Sequence, residues 1–202
     1  MDKDTVKRFF DRYARQWDAR QVRHEDRIRR ILDVAEIREG VSVLDVACGT
    51  GVLIPDYLAR NVKSVTGVDL SPAMIACAQK KFADPRVTLL CADVEALDFS
   101  RPFDRCVVYN AFPHFPDPSG LIRRLAAQLA PGGRLTIAHG MSRAQIDRHH
   151  SGAASDVSIG LISEHALSAL MDGLFEVDVA LSGDEIYVVS GRKRECEAES
   201  AS

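Results

Sequence analysis

The middle of this sequence alternates short apolar runs with stretches of helical spacing. The apolar runs are VSVLDVA, SVTGVDL, RVTLLCAD, DRCVVYNAF and RLTIAHG, all rich in β-branched residues and short enough for buried strands. Predicted helices lie between them at residues 51–60, 72–82 and 118–129. This βαβ rhythm is typical of parallel strands whose two faces are both covered by helices. The sequence therefore predicts an α/β fold with five parallel strands in a doubly wound sheet.

The two ends of the chain have different patterns. Residues 4–35 contain neither proline nor glycine and have helical spacing, which predicts two helices with a break at residues 19–22. Residues 142–160 are polar and glycine-dotted, and a helix is predicted at residues 163–172. The runs FEVDVAL and IYVVSGRK, joined through SGDE, predict an antiparallel hairpin. We expect one domain over residues 1–192, with residues 1–39 as a helical lid or flank and residues 193–202 as a flexible tail.

Composition narrows the class of protein. A chain of 202 residues with 46% hydrophobic side chains can build one substantial core. The net charge of −3, with both signs interleaved, argues against a nucleic-acid partner. The 5 cysteines form no C-x-x-C pair, no apolar signal core is present, and no apolar run approaches the ~20 residues that a membrane span needs. These features predict a cytoplasmic protein with reduced thiols and no membrane span.

The stretch VLDVACGTGVL at residues 43–53 predicts a strand, a glycine turn and the start of a helix. Gly49 and Gly51 allow the backbone to approach a ligand above the helix start. A dinucleotide fingerprint would need a third glycine where Ile54 stands, which disfavours a nicotinamide-dependent oxidoreductase.

Acidic residues follow three predicted strands in turn. Asp45, Asp69 and Asp93 stand at or just beyond strand ends, and parallel strands end at one edge of the sheet. A carboxylate such as Asp69 can accept both ribose hydroxyls of an adenosine group. Each acid alone is equally well explained as a helix N-cap, but three in register favour an adenosine-containing ligand.

Five segments, taken in order, resemble the motifs of class I S-adenosylmethionine-dependent methyltransferases: VLDVACGTG, GVDLS, CADVEAL, FDRCVVYNAFPHF and LAPGGRLTIAH. The resemblance covers about residues 5–139. The segment FFDRYARQWD also resembles the cofactor-covering helix of methyltransferases related to ubiquinone and menaquinone biosynthesis enzymes. The resemblance implies a Rossmann-like, seven-stranded, mostly parallel sheet whose last strand is antiparallel. It also implies S-adenosyl-L-methionine as cofactor.

The resemblance also implies roles for individual residues. Asp45 would stand near the methionine amino group, and Asp69 would hold the ribose. Asp93 would meet the edge of the adenine. The full set that it assigns to cofactor binding is Asp45, Ala47, Gly49, Thr50, Gly51, Asp69, Leu70, Met74, Asp93, Val94 and Asn110. An acid-lined site without a phosphate grip suits a sulfonium cation.

The methyl acceptor is expected beyond the fourth and fifth strands. Prolines in YNAFPHFPDP predict a stiff, extended loop that presents Phe112, His114 and Phe115 as an acceptor wall. His114 and His139 are predicted to face one pocket as catalytic or substrate-contacting residues, because histidine suits an acceptor that must lose a proton. Packing is the alternative role for His114, and a solvated helix face is expected for His149 and His150. Since no metal-ligand spacing accompanies these histidines, no metal is predicted, although a site of His114, His139 and one of that pair stays an alternative.

The sequence NAFPHF differs from the NPPY-like motif of enzymes that methylate nucleobase or amide nitrogen, which favours a small-molecule acceptor. The acceptor atom stays open among carbon, oxygen, sulfur and nitrogen, and we expect a monomer or a homodimer. The alternative function is a non-catalytic or regulatory protein of the same fold that binds the cofactor.

Overall fold

The computed structural model describes residues 2–20, 22–150 and 155–195. Fourteen regular elements follow the alternation that the sequence predicts. In chain order they are α1 (Lys3–Arg20), α2 (Glu25–Val34), β1 (Ser42–Val46), α3 (Ile54–Ala59), β2 (Ser64–Asp69), α4 (Pro72–Lys81), β3 (Val87–Cys91), β4 (Phe103–Tyr109), α5 (Pro118–Gln128), β5 (Leu129–His139), α6 (Arg143–His150), α7 (Glu164–Met171), β6 (Phe175–Ser182) and β7 (Tyr187–Lys193). Short 3₁₀ turns cover Val94–Ala96, Phe112–His114 and Ser155–Val157.

All seven strands form one sheet in the order β3-β2-β1-β4-β5-β7-β6. The pairs β1–β2, β2–β3, β1–β4 and β4–β5 are parallel, whereas β7 runs antiparallel to both β5 and β6. The predicted doubly wound sheet and its terminal hairpin are confirmed. Because the strand order reverses between β1 and β4, the fold opens a crevice at the carboxyl ends of these strands.

Alternate residues of each strand enter different cores, as a sheet covered on both faces requires. Leu44 packs in one cluster with Leu121 of α5 and Leu167 of α7. Val43 packs on the opposite face with Ile28 of α2 and Tyr57 of α3. The long helix α1 contributes little to either core and instead lies across the crevice.

Three local predictions are wrong in detail. Helix α3 begins at Ile54 rather than at residue 51, because Gly51 has φ +83° and its turn precedes the helix. Strand β5 begins already at Leu129, and the APGG stretch is an irregularity between the pairs Phe103–Leu129 and Arg105–Arg134. The stretch expected to be extended contains the 3₁₀ turn Phe112–His114, since proline is well tolerated in the first turn of a helix.

None of the helices in the described part of the chain is both long enough and apolar enough to cross a bilayer.

Candidate functional site

A deep cleft lies at the carboxyl ends of β1, β2 and β4, and α1 forms its roof. It encloses about 960 Å³ of empty space, part of which is open to solvent. The lining combines the glycine turn, the acids that follow the strands and aromatic side chains of α1. Ten of the predicted site residues line this cleft: Ala47, Gly49, Thr50, Asp69, Leu70, Met74, Asp93, Val94, Asn110 and His114. Within the described chain, Asp45, Gly51 and His139 lie outside that lining.

The glycine turn owes its shape to a run of left-handed backbone conformations. Ala47, Gly49 and Gly51 have φ values of +52°, +57° and +83°. A Cβ atom on Gly49 would meet no atom within 4 Å, so the backbone there faces open space. A Cβ atom on Gly51 would lie 2.6 Å from the ring of Phe82. Gly49 therefore exposes backbone to a ligand, whereas Gly51 is needed for packing.

Asp69 joins the glycine turn to the start of α4. Its Oδ2 accepts a hydrogen bond from Gly49 N at 2.8 Å, and its Oδ1 accepts one from Ser71 N at 2.8 Å. The residue is 9% exposed and lines the cleft. Burial raises its pKa, although the two backbone N–H groups act in the opposite direction. Since each carboxylate oxygen has a second lone pair, Asp69 can still accept two hydroxyl donors.

Asp45 lies behind the glycine turn rather than in the cleft wall. Burial raises the pKa of Asp45 to about 8, and the neighbouring Asp69 carboxyl adds to the rise. The Tyr57 hydroxyl is close enough to oppose that rise, but no well-aligned hydrogen bond joins it to Asp45 Oδ2. No lysine or arginine of the described chain forms an ion pair with Asp45 or Asp69.

The third acid has two local roles at the far end of the cleft. Asp93 caps the 3₁₀ turn Val94–Ala96 by accepting a hydrogen bond from Glu95 N at 3.0 Å. Its Oδ2 lies 2.6 Å from Lys3 Nζ, which is also 2.7 Å from Glu95 Oε2. The N-cap interpretation and the site interpretation of Asp93 are therefore compatible, because one oxygen caps the turn while the other faces the roof helix.

Polar contacts fasten α1 to the cleft along its length. Asp11 Oδ1 accepts a hydrogen bond from Ser71 Oγ at 2.6 Å, at the start of α4. Asp18 accepts one from Thr50 Oγ1 at 2.5 Å and forms an ion pair with Lys81 at 2.8 Å. Sequence analysis missed these contacts. Helical spacing could have placed Lys3, Asp11 and Asp18 near one face, but it could not name their partners.

The opposite end of the cleft is formed by the loop after β4. Asn110 has φ +54°, and its Oδ1 accepts a hydrogen bond from Gly140 N at 3.0 Å. His114 lies 5.0 Å from Phe10 between ring centroids, in an edge-to-face arrangement. Its Nδ1 is 2.6 Å from Val157 O, a carbonyl that can only accept. This contact requires a proton on Nδ1, so Nε2 is the basic nitrogen of the neutral ring.

The prediction that His114 and His139 face one pocket is wrong in its geometry. His139 is 2% exposed at the end of β5, and its ring packs edge-to-face on Tyr187 with centroids 6.0 Å apart. The side chains of His149 and His150 lie outside the described part of the structure. Within the part that is described, no cluster of three or more metal-ligating side chains occurs. Catalytic roles for His114 and His139 stay predictions.

Comparison with known proteins adds independent information. Residues 43–133 match the family model described as a methyltransferase domain. The malonyl-[acyl-carrier protein] O-methyltransferase of Priestia megaterium is 30% identical over 139 residues, which cover 67% of this chain and 51% of the relative. The ubiquinone biosynthesis O-methyltransferase of Coxiella burnetii is 38% identical over 101 residues, covering 48% and 42% of the two chains. The chain thus spans about half the length of the curated relatives it matches.

A solved structure extends the similarity in fold to almost the whole chain. The N-methyltransferase NodS from Bradyrhizobium japonicum, in complex with S-adenosyl-L-homocysteine, has a TM-score of 0.75 at 16% identity. The match covers 94% of this chain and 99% of NodS. At this identity the comparison concerns the fold alone. The motifs, the strand order and the matched domain agree, and the chain therefore belongs to the class I S-adenosylmethionine-dependent methyltransferases.

Proposed function

We propose that this chain transfers a methyl group from S-adenosylmethionine to a small-molecule acceptor. The observation that carries the proposal is the cleft in which Asp69 and the strained glycine turn lie side by side, near buried acids that no described cation neutralises. An uncompensated buried carboxyl is costly, and a ligand that brings positive charge relieves that cost.

The described residues fit this cofactor from end to end. The exposed backbone of Ala47 and Gly49, with Asp45 behind it, would hold the cationic methionine end. Asp69 would accept the ribose hydroxyls. The apolar side chains of Leu70 and Met74 would pack on the adenine, next to Val94 and Asp93. When bound, the cofactor supplies a methyl group that is already activated on a sulfonium centre.

The chain's own contribution to catalysis is alignment and the exclusion of water. Phe10 and Trp17 of α1 close the cleft from above, while Phe115 and Pro116 form part of its wall. Val157 O fixes the ring tautomer of His114, which leaves Nε2 as the nitrogen that can take a proton. We propose that His114 accepts the proton of a hydroxyl acceptor. Methylation on oxygen agrees with the names of the two O-methyltransferase relatives.

His139 has a different standing in this proposal. Because it is buried against Tyr187, a catalytic role would require the acceptor to reach the end of β5. We keep His139 as a second candidate, to be tested by substitution.

The other expectations also stay proposals. They are a single methyltransferase domain over residues 1–192, a monomer or a homodimer, and function without nucleic acid or membrane. The described cysteines Cys48, Cys77, Cys91 and Cys106 are free thiols, which suits a reducing compartment such as the cytoplasm.

The experiment combines binding with transfer. The protein is titrated with S-adenosylhomocysteine and then incubated with labelled methyl donor and fractionated metabolite pools. We expect saturable binding and label in a small-molecule fraction. Binding without transfer to any fraction would favour the regulatory alternative, and the absence of binding to either S-adenosylmethionine or S-adenosylhomocysteine would contradict the proposal.

A further inference from the structure

We propose that binding of the cofactor releases a proton from Asp45, and that Tyr57 is a positioning residue that sets how readily this proton leaves. The inference rests on the proposed function, because it concerns the site for the methionine end of the cofactor. It goes further by making the affinity for the cofactor depend on pH through two buried side chains.

The surroundings of Asp45 hold acids and weak acids from each neighbouring element. Asp69 approaches from the end of β2, Cys48 from the glycine turn, Tyr57 from α3 and Cys106 from β4. Asp45 is 2% exposed, and Tyr57 and Cys106 are fully buried. None of these groups is cationic, so a charge on Asp45 would be both desolvated and opposed by Asp69.

The two acids differ in how well a negative charge is supported. Asp69 accepts hydrogen bonds from Gly49 N and Ser71 N, both of which favour its carboxylate form. Asp45 Oδ2 is buried and has no hydrogen-bond partner. When two neighbouring carboxyls share a site without a cation, the less supported one keeps its proton. Asp45 is therefore the protonated member of the pair, in agreement with its pKa of about 8.

A ligand with an ammonium group reverses this preference. The ammonium group at the methionine end of the ligand would stabilise the carboxylate of Asp45 next to it. The O–H bond of Asp45 then breaks, the electron pair stays on the carboxylate oxygen, and the proton passes to solvent. Each bound ligand thus exchanges one proton for one neighbouring positive charge. Below the pKa of Asp45, the affinity should fall about tenfold for each unit by which the pH decreases.

Tyr57 is placed to adjust this equilibrium. Its hydroxyl lies next to Asp45 and lowers the pKa of Asp45, and Oη, like Asp45 Oδ2, is buried without a hydrogen-bond partner. Both atoms thus have unused hydrogen-bonding capacity within this buried site. Removing the hydroxyl should leave Asp45 harder to ionise and should move the pH dependence of binding to higher pH.

The test is calorimetric titration with S-adenosylhomocysteine from pH 6.0 to 7.5, in pairs of buffers that differ in ionisation enthalpy. At pH 6.0, where the proton release is counted, the ligand's own amino group is almost fully protonated, since α-amino groups titrate at about 8. We expect release of close to one proton per ligand at pH 6.0, and an affinity that rises by more than tenfold up to pH 7.5. The control ligand is 5′-methylthioadenosine, which has no ammonium group and should release no proton.

Two variants assign the proton. Asp45→Asn should abolish proton release and give an affinity that is constant from pH 6.0 to 7.5. Tyr57→Phe should retain the proton release and should shift the affinity profile to higher pH, recovering affinity as the pH increases. A purely structural role for Tyr57 would lower affinity equally at every pH. If Asp45→Asn does not fold, as judged by its thermal melting, the profile of Tyr57→Phe decides.

The outcomes separate this inference from the function on which it rests. Tight binding of S-adenosylhomocysteine by the unaltered protein without proton release would overturn the inference and leave the proposed function intact. Proton release that persists in Asp45→Asn would overturn it as well. No binding at any pH would contradict the proposed function, and the inference would fail with it.

Discussion

The two edges of the central sheet differ in whether their charged side chains are paired within the chain. At the amino edge, Glu36 pairs with three arginines, namely Arg105 at 3.0 Å, Arg134 at 3.2 Å and Arg192. Arg134 also forms a two-point contact with Asp178 at 2.7 and 2.5 Å. At the carboxyl edge, Asp45 and Asp69 are buried without an ion pair to any described side chain. The charges at the amino edge are thus paired within the chain, whereas Asp45 and Asp69 at the carboxyl edge have no cationic partner among the described residues.

Backbone strain does not distinguish the two edges. Ala47 and Asn110 have positive φ at the carboxyl edge, but Glu36 has φ +51° at the amino edge. The distinguishing property is the pairing of charge, which also appears in the direction of the pKa shifts. Hydrogen bonds from Arg134 lower the pKa of Asp178, whereas burial raises the pKa of Asp45 and of Asp69. A site for a cationic ligand can therefore be located by its unpaired acids.

The largest expected effect comes from removing a buried arginine from the paired charges of the amino edge. Arg134→Met removes the contacts to Asp178 and Glu36 and should lower the free energy of unfolding by about 3 kcal/mol. The affinity for S-adenosylhomocysteine should stay unchanged. Denaturant unfolding measures the first quantity and calorimetry the second. Arg29→Met is the matched control, because the Arg29–Asp26 pair is exposed and should contribute less than about 0.5 kcal/mol. Equal destabilisation by both substitutions would contradict the contrast between the edges.

At the carboxyl edge, substitution of an acid should instead change the affinity for the cofactor. Asp69→Ala removes the proposed ribose acceptor and the anchor of Gly49, and should weaken S-adenosylhomocysteine binding by about 30- to 100-fold. Asp178→Asn, an acid of the amino edge, should leave this affinity within about twofold because it contacts no part of the cleft. Calorimetric titration checks both variants. An affinity that survives Asp69→Ala would show that the cleft is not the cofactor site.

The histidines test whether the cleft performs chemistry as well as binding. His114→Ala should lower turnover by about 100-fold on an identified hydroxyl acceptor, while the cofactor affinity stays within a few-fold. His139→Ala is also predicted to lower turnover, and His165→Ala is the exposed control. Steady-state kinetics with each variant provides the measurement. If His114→Ala and His139→Ala both keep the turnover of the unaltered protein, histidine catalysis is wrong.

The smallest effect concerns stability without ligand. The folded-state pKa of Asp45 is raised to about 8, so its contribution to stability is complete below the unfolded pKa and is lost as the pH rises toward 8. Between pH 6.0 and 7.5 the free energy of unfolding should fall by about 2 kcal/mol relative to the Asp45→Asn variant. Asp178 has a lowered pKa, so its contribution is instead lost in acid. Identical pH profiles for the unaltered protein and Asp45→Asn would remove Asp45 from this account.

Much of this architecture can be predicted from the sequence, because strand positions and the edge at which parallel strands end follow from local patterns. Apolar runs gave the strand positions, and the acids after three strands gave one edge at which Asp69 and Asp93 indeed line the cleft. The antiparallel hairpin followed from a short turn. These features depend on periodicity and on the direction of parallel strands, both of which are properties of the chain itself.

The parts that sequence analysis missed depend on contacts between distant segments. The hydrogen bond from Ser71 to Asp11 and the Asp45–Tyr57 pair join residues that belong to different elements. No local sequence pattern indicates such contacts. His139 looked equivalent to His114, but packing against Tyr187 of the antiparallel strand β7 buries it. Proline in the loop after β4 suggested extended backbone, while the structure forms a 3₁₀ turn there.

The most direct measurement is a calorimetric titration of the unaltered protein with S-adenosylhomocysteine at pH 7.5, accompanied by a thermal-shift assay. The unpaired acids of the carboxyl edge predict saturable binding to one site per chain and a rise in melting temperature. The Asp69→Ala variant should weaken the binding and reduce this rise. The absence of heat and of thermal shift, with S-adenosylmethionine as well as with S-adenosylhomocysteine, would contradict the assignment of this edge as a cofactor site.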